Sequence, residues 1–392
     1  MTSMTEEEKR ALPTILDVLE ELAEKEYLWH KEWTRQPNFL APHFAEDGEY
    51  MITAIKSHSR QYKLLPGSQS TFTLYRGQNR YFSNCVPSLY RKPKAYTEDE
   101  WTVISRVRTA EFMWVLIKHP VVRELQSRIV VDLVPLAQHY GFPTEYMDVT
   151  NNKWVAAFFA VTQFDDDTYT PVDEQFEEGV GVFYVADPKE NMAQQQLWFE
   201  DKLQTLGFQY FARPTRQYSM VYRMDEKEDF NQIAGWRKIL FRHDRRASEI
   251  VYKMAWNQER WFPKDVLSDK ARMIRSEGYE VSEAAIKLAI PKFNLSQSED
   301  EVKAILERHC LRWHAGDEIA ADYTEEEKAD DWRQWCEFGR ADLMRRIKKP
   351  FWLYDLPEGV LKENGQYGPK REVDFADKWA KFEEKCKKYL HN

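Results

Sequence analysis

A helix that must stop, a short strand and a second, buried helix follow one another between Leu133 and Ala160. This stretch constrains the fold more than any other part of the chain. Val134, Leu136 and Ala137 belong to an apolar helical run that reaches Tyr140. Gly141 suits the position just past a helix end, where a left-handed backbone is cheapest without a side chain. Phe142-Pro143 then bars continuation. Tyr146, Met147 and Val149 read as extended. Asp148, Thr150 or Asn151 could cap the next helix, whose Trp154, Val155, Phe158, Phe159 and Thr162 form a broad apolar face. Short polar side chains thus gather where a strand hands over to a buried helix. The amides of that helix start could hold an anion such as phosphate. Ordinary helix capping explains the same residues, and caps far outnumber anion sites.

Around this stretch the pattern alternates between helix and strand. Residues 5–36 predict an amphipathic helix with Leu16, Val18, Leu19, Leu22, Ala23 and Leu28 largely on one face. Residues 46–59 predict a second helix with Met51, Ile52 and Ile55 inward. Phe72 to Gly77 predicts a strand and Asn84 to Lys94 a turn-rich loop. Helices are expected over 98–118 and 125–140. The acidic run Asp165 to Glu178 is expected as an exposed loop, and Gly179 to Val185 as the clearest buried strand. Gln209 to Met224 predicts two strand pieces broken at Pro214, and the WRKILF run ending at Phe241 a further strand. A helix is expected over 247–254. Beyond Ser268 the chain predicts charged-faced helices over 269–289, 298–311 and 323–348. A turn at 364–369 and a last helix over 373–389 follow.

Composition narrows the function. With 392 residues and 43% apolar residues, the chain can bury a real core. Its 14 Gly argue against a glycine-rich nucleotide fold, and a net charge of -9 argues against general nucleic-acid binding. The 14 Trp, 20 Tyr and 22 Phe supply large packing or stacking surfaces. Cys85, Cys310, Cys336 and Cys386 are scattered without a CxxC pair, which suits free thiols and a cytoplasmic setting. His309, Cys310 and His314 are explained by helical spacing without a metal. No run of 18 apolar residues is present, and the acidic MTSMTEEEKRALP start is unlike a signal peptide.

Three polar clusters fall at expected strand ends. One is Tyr75-Arg76-Gly77-Gln78. Another is Asp148-Val149-Thr150, with Gln138, His139 and Tyr140 upstream. The last is Arg213-Pro214-Thr215-Arg216-Gln217. An arginine on a strand can clamp a diphosphate bidentately or pair internally, for instance with Asp148. His139 could be a core histidine, and Gln217 can orient a substrate without being a base.

These motifs resemble the FRG domain family, named for a Phe/Tyr-Arg-Gly motif. Tyr75-Arg76-Gly77 carries it here, followed by Pro87-Ser88-Leu89 and Arg91. A second hallmark is similar from Ala137 to Thr150 and on through Ala156 to Ala160, and an RPxxQ-like piece is Arg213, Pro214 and Gln217. The resemblance spans about Phe72 to Ser268. It departs at Glu145, where the family has Arg, at Val149, where it has Trp, and at Ser219, where Gly is usual. The resemblance implies a layout similar to ADP-ribosyltransferases of the Arg-Ser-Glu type. Arg76 would then clamp the phosphates of NAD, and Asp148 and Thr150 would position ribose or nicotinamide. Gln217 would orient the acceptor, and Tyr75, Gly77, Gln78, His139 and Tyr140 would line the cofactor site. The later catalytic Glu has no counterpart at Gln217, and Glu249 is the next acidic candidate. The resemblance makes a phage-defence or toxin role plausible, and no residue here selects it.

The expected architecture is α+β, with a mixed, split β core resembling an ADP-ribosyltransferase fold. An N-terminal helical arm is expected over 1–70, the FRG domain over 71–268 and a C-terminal helical extension over 269–392. Two functions are expected. One is an NAD- or nucleotide-binding protein that transfers ADP-ribose to a macromolecule, with no metal and no membrane association. The other is a non-catalytic module that binds a protein partner, with the FRG motifs serving as internal structure.

Overall fold

The computed structural model describes residues 4–33, 52–56, 62–66, 73–127, 129–165, 167–186, 202–206, 210–341, 343 and 347–348. Two N-terminal helices, Glu6–Arg10 (α1) and Ile15–Trp33 (α2), come first. Strands Ile52–Lys56 (β1), Tyr62–Pro66 (β2) and Leu74–Gln78 (β3) follow. Three helices come next: Glu98–Lys118 (α3), Pro120–Gln126 (α4) and Leu133–His139 (α5). Tyr146–Thr150 (β4) leads into Lys153–Ala160 (α6). Strands Thr162–Asp165 (β5), Thr168–Pro171 (β6), Val180–Ala186 (β7) and Leu203–Thr205 (β8) precede the short helix Ala212–Arg216 (α7). Ser219–Arg223 (β9), Trp236–Arg242 (β10) and Arg245–Met254 (α8) complete the central part. The C-terminal elements are Val266–Arg275 (α9), Glu280–Ser282 (β11), Glu283–Phe293 (α10), Glu299–Arg308 (α11), Arg312–His314 (β12), Glu325–Gln334 (α12) and Ile347–Lys348 (β13).

The central sheet runs β10-β7-β3-β4-β9-β8, and every neighbouring pair in it is antiparallel. All seven residues of β7 are buried, which explains its unbroken apolar sequence. Side chains alternate across the sheet, as strand geometry requires. Tyr75, Phe183, Val185 and Phe241 join α2, α6 and α8 in one core. Leu74, Val182, Tyr184, Met147, Val149 and Phe230 form a second core on the other face. A third core is organised by α3, which begins with a capping box between Thr97 and Glu100. Residues from α9, α10 and α11 share that core, so the packing runs across the expected boundary at 268. Glu111 of α3 is buried there. It accepts from Tyr279 Oη (2.9 Å), the Ser282 amide (3.0 Å) and Ser282 Oγ (2.6 Å). Among the described residues no helix is long and apolar enough to cross a membrane.

The α+β class agrees with the sequence reading, and the mixed sheet does not: the six-stranded sheet is antiparallel throughout. Parallel pairing occurs only between β1 and β13 and between β11 and β12 among the described residues. Other corrections have local causes. The helix expected over 46–59 is a strand at Ile52–Lys56, paired with Tyr62–Pro66, in keeping with its β-branched residues. The helix expected over 125–140 is two helices, α4 and α5. The acidic segment at 165–178 contains β6, hairpin partner of β5. The first piece of 209–224 is the helix α7, followed by β9, and the helix expected over 269–289 is interrupted by β11. The last helix of 323–348 ends at Gln334 and continues as a π turn, Trp335–Gly339. The turn at 364–369 and the helix at 373–389 lie outside the described residues.

Helix α6 lies so close on β3 that only glycine fits at position 77. A Cβ there would stand 1.9 Å from the Ala156 carbonyl oxygen and 2.8 Å from Ala160 Cβ. Gly77→Ala should therefore destabilise the protein by about 3 kcal/mol or more, read as a lower denaturant midpoint. Burial also acts on His243, whose Nε2 donates to the Asn79 carbonyl oxygen (2.7 Å) and whose pKa is pushed below the usual 6.5. The unfolded chain therefore takes up the proton first as pH falls, so the stability this group contributes is present above 6.5 and lost below it. His243→Gln should flatten the fall in unfolding midpoint between about pH 7 and pH 5.5 relative to wild type. An unchanged slope contradicts that assignment.

Candidate functional site

Strands β3 and β4 are neighbours in the sheet but pair at one position only, Tyr75 with Thr150. On their outer sides β3 pairs with β7 over five residues, and β4 with β9 over five. The strands therefore part beside the Arg76-Gly77 motif, and a cavity of about 210 Å³ lies there. Tyr75, Arg76, Gly77, His139, Asp148, Val149, Thr150, Val155, Ala156, Phe159, Tyr169, Gln217 and Ser219 line it. Seven of the nine site residues expected from the sequence are among these; Gln78 and Tyr140 are not. A larger hollow of about 420 Å³ near Tyr81 and Phe82 contains none of the nine, and its Arg80 pairs with Glu177 at 2.6 Å.

Arg76 holds the two strands together where their ladder stops. Its Nη1 donates to the Asp148 carbonyl oxygen at 2.6 Å, and its guanidinium lies 5.7 Å from the Phe230 ring centroid. It makes this backbone contact rather than the ion pair with the Asp148 carboxylate that the sequence left open. The Asp148 side chain is 45% exposed. Its Oδ2 accepts from Gln138 Nε2 at 3.3 Å, and its Oδ1 lies 3.6 Å from His139 Nε2. The His139 side chain is 5% exposed, and its Nδ1 lies 3.0 Å from Gln217 Oε1. Burial pushes the His139 pKa below its usual value, while the Asp148 carboxylate and the Gln217 hydrogen bond act in the opposite sense. Four buried polar atoms of these lining residues have no hydrogen-bond partner: Arg76 Nε, His139 Nε2, Asp148 Oδ1 and Ser219 Oγ.

Other expected site residues are engaged within the fold. Thr150 Oγ1 donates to the Gln217 carbonyl oxygen (2.8 Å) and accepts from the Asn152 amide (3.0 Å). Gln217 is buried, and its Nε2 donates to the Trp261 carbonyl oxygen at 2.9 Å. Tyr140 is buried and donates to Asp265 Oδ2 (3.0 Å); burial and that carboxylate push its pKa up. Gln78 Oε1 accepts from Cys85 Sγ at 3.5 Å. The start of α6 is capped by Asn152, whose Oδ1 accepts from the Trp154 and Val155 amides, rather than by Asp148, Thr150 or Asn151. Those two amides are thus occupied, and the expected anion site at the helix start is corrected to a cap.

The departures from the family pattern also find their places. Glu145 pairs with Arg106 at 2.7 Å, and Arg106 lies over Phe293. Arg213 is buried, donates to the Pro263 carbonyl oxygen (3.1 Å) and stacks over Phe262 (3.8 Å). Glu249 pairs with Arg245 on α8 and does not line the cavity. Two aromatic walls escaped the sequence reading as site residues. Phe159 was read as core, and Tyr169 stood inside the acidic run taken for a loop. Their rings lie 5.6 Å apart. Alternation in Thr168–Pro171 was the signal available for Tyr169.

The family model of the FRG domain matches residues 71–168, so the chain contains an FRG domain there. That match holds β3, α5, β4 and α6, and with them Arg76, His139 and Asp148. No curated protein and no solved structure matches the chain.

Because both bonds of the Thr150 hydroxyl are internal, Thr150→Val should leave a carbonyl and an amide without partners. Expected is a loss of about 1–3 kcal/mol in denaturant unfolding. Unchanged stability contradicts a structural role for this hydroxyl.

Proposed function

For this FRG domain-containing protein we propose that the gap between β3 and β4 binds NAD and that the protein transfers ADP-ribose to a macromolecular acceptor. One observation supports the reading above all others: Arg76 Nε, His139 Nε2, Asp148 Oδ1 and Ser219 Oγ are buried without partners around one cavity. Buried polar atoms left unmatched cost about 1–3 kcal/mol each, so a cluster of them marks a place where another molecule makes the missing bonds. The set combines a cation, a carboxylate, an imidazole and a hydroxyl. It is complementary to a ligand carrying phosphate, ribose hydroxyls and a developing positive charge.

Size decides which end enters. Sites for small-molecule ligands span about 300–1,000 Å³. The 210 Å³ cavity takes the nicotinamide ribose, and the diphosphate and adenosine lie along its mouth. Arg76 pairs with a phosphate oxygen, as guanidinium groups do. Phe159 and Tyr169 flank the nicotinamide ring. In the reaction the bond from ribose C1′ to the nicotinamide nitrogen breaks, and its electron pair leaves with the now neutral nicotinamide. The acceptor atom bonds C1′ and loses its proton to a base. Asp148 supplies the negative charge beside the electron-poor C1′, a role for which the sequence offered no Glu. The internal engagement of Thr150 and Gln217 supports a second reading, a ligand-binding module without turnover.

Calorimetric titration with NAD and chromatography of released nicotinamide test both readings. Wild type should bind NAD and release nicotinamide. Arg76→Lys should weaken binding about 10-fold by loss of a charge-assisted bond. Asp148→Asn should lower release about 100-fold with binding changed far less. Binding without any release supports the module instead. No binding at about 1 mM NAD, where the free energy would be only about 4 kcal/mol, overturns the NAD assignment.

A further inference from the structure

We infer that Gln217 locks His139 in the tautomer that carries its proton on Nδ1. His139 Nε2 is then the proton acceptor of the cavity, and the group that receives ADP-ribose is a protein hydroxyl. The tautomer follows from these bonds together with the burial of the ring and does not depend on the NAD reading; the acceptor class rests on that reading.

The Trp261 carbonyl oxygen can only accept, so the Gln217 amide nitrogen faces it, at 2.9 Å. The Gln217 oxygen therefore faces His139 Nδ1, at 3.0 Å, and it too can only accept. The hydrogen must sit on Nδ1. A neutral imidazole with Nδ1–H has its lone pair on Nε2. That lone pair faces Asp148 Oδ1 at 3.6 Å, and neither atom has a hydrogen-bond partner. In the neutral ring two acceptors thus confront one another beside the cavity; in the protonated ring they form an ion pair. A molecule that brings a hydrogen satisfies them. Both polar atoms of the Gln217 amide are engaged within the protein, so it acts through the ring and is a positioning residue.

The charged groups facing the ring fix its state. Asp148 on β4 favours the protonated ring and Arg213 on α7 opposes it, while burial opposes it most strongly. Arg76 and Tyr169 also line the cavity. The ring is therefore neutral near pH 7 and able to take a proton. A carboxylate acceptor carries no such proton and meets the charge of Asp148. A guanidinium is a cation and a poor nucleophile towards the positive C1′ until it loses a proton, which an imidazole cannot remove beforehand. A hydroxyl loses its proton only as its oxygen bonds to C1′, and a base at that distance assists this step. The oxygen–C1′ bond forms, nicotinamide leaves with the electron pair, and the proton passes to Nε2. The resulting imidazolium is held beside Asp148. The net charge of -9 favours a protein hydroxyl over one on nucleic acid.

Nitrogen-15 NMR of the full chain labelled at histidine, with His139→Gln used to identify the resonance, should show the Nδ1–H tautomer near pH 7. The Nε2–H tautomer or an imidazolium overturns the proposal, whether or not NAD binds. With NAD, His139→Gln should lower kcat/KM for nicotinamide release about 100-fold, with NAD affinity falling far less. Gln217→Glu should move the acid limb of the pH profile upward, because a carboxylate favours the protonated ring more than an amide does. An unmoved limb overturns the positioning role. The protein product should resist neutral hydroxylamine. Hydroxylamine-labile product, or label on added RNA alone, overturns the hydroxyl-protein assignment. If wild type fails to bind NAD, the reading under test above fails, and the NMR result still decides the tautomer.

Discussion

The single pairing of Tyr75 with Thr150, and the Arg76 guanidinium that spans the gap beyond it, determine everything else at the site. Had β3 and β4 continued their ladder, backbone would fill the space beside Gly77. Because they part, one donor of Arg76 replaces the missing ladder bonds by reaching the Asp148 carbonyl oxygen. The other side of the gap is closed by α6, which comes close enough to β3 to exclude any side chain at position 77. The cavity is thus a consequence of sheet geometry, with its walls held by a cation on one strand and a buried helix on the other.

Within this frame the motif residues divide by what their polar atoms touch. Thr150, Gln217 and Tyr140 spend their side-chain hydrogen bonds inside the protein, joining β4, the residue after α7 and the segment from Trp261 to Asp265. Arg76, His139, Asp148 and Ser219 each keep one atom unmatched at the cavity. The first group makes the second possible: Thr150 fixes the turn that carries Gln217, and Gln217 fixes the ring of His139. A motif can therefore be structural at one residue and ligand-directed at the next, and substitutions should be read residue by residue.

Much of this was legible in the sequence because the signals were local and strong. The helix expected over 98–118 is α3, and the apolar run of β7 announced a buried strand. The clustering of Arg76, His139, Asp148, Thr150 and Gln217 followed from reading three polar clusters as strand ends. What stayed hidden depended on tertiary context. Nothing local reveals that β3 and β4 separate, or that every neighbour in the sheet is antiparallel. Tyr169 was masked by the acids around it, and Asn152 took the cap that its neighbours could have supplied equally well. The role of Gln217 also needed coordinates, because an amide gives no hint from sequence whether it faces a substrate or a histidine.

The central claim is that the gap between β3 and β4 is a ligand site rather than a packing defect. A crystal structure determined after soaking with NAD tests it most directly. The account predicts density for ribose in the cavity beside Asp148 and His139, with a phosphate at Arg76. An unoccupied gap at saturating NAD, or density bound elsewhere on the protein, contradicts it.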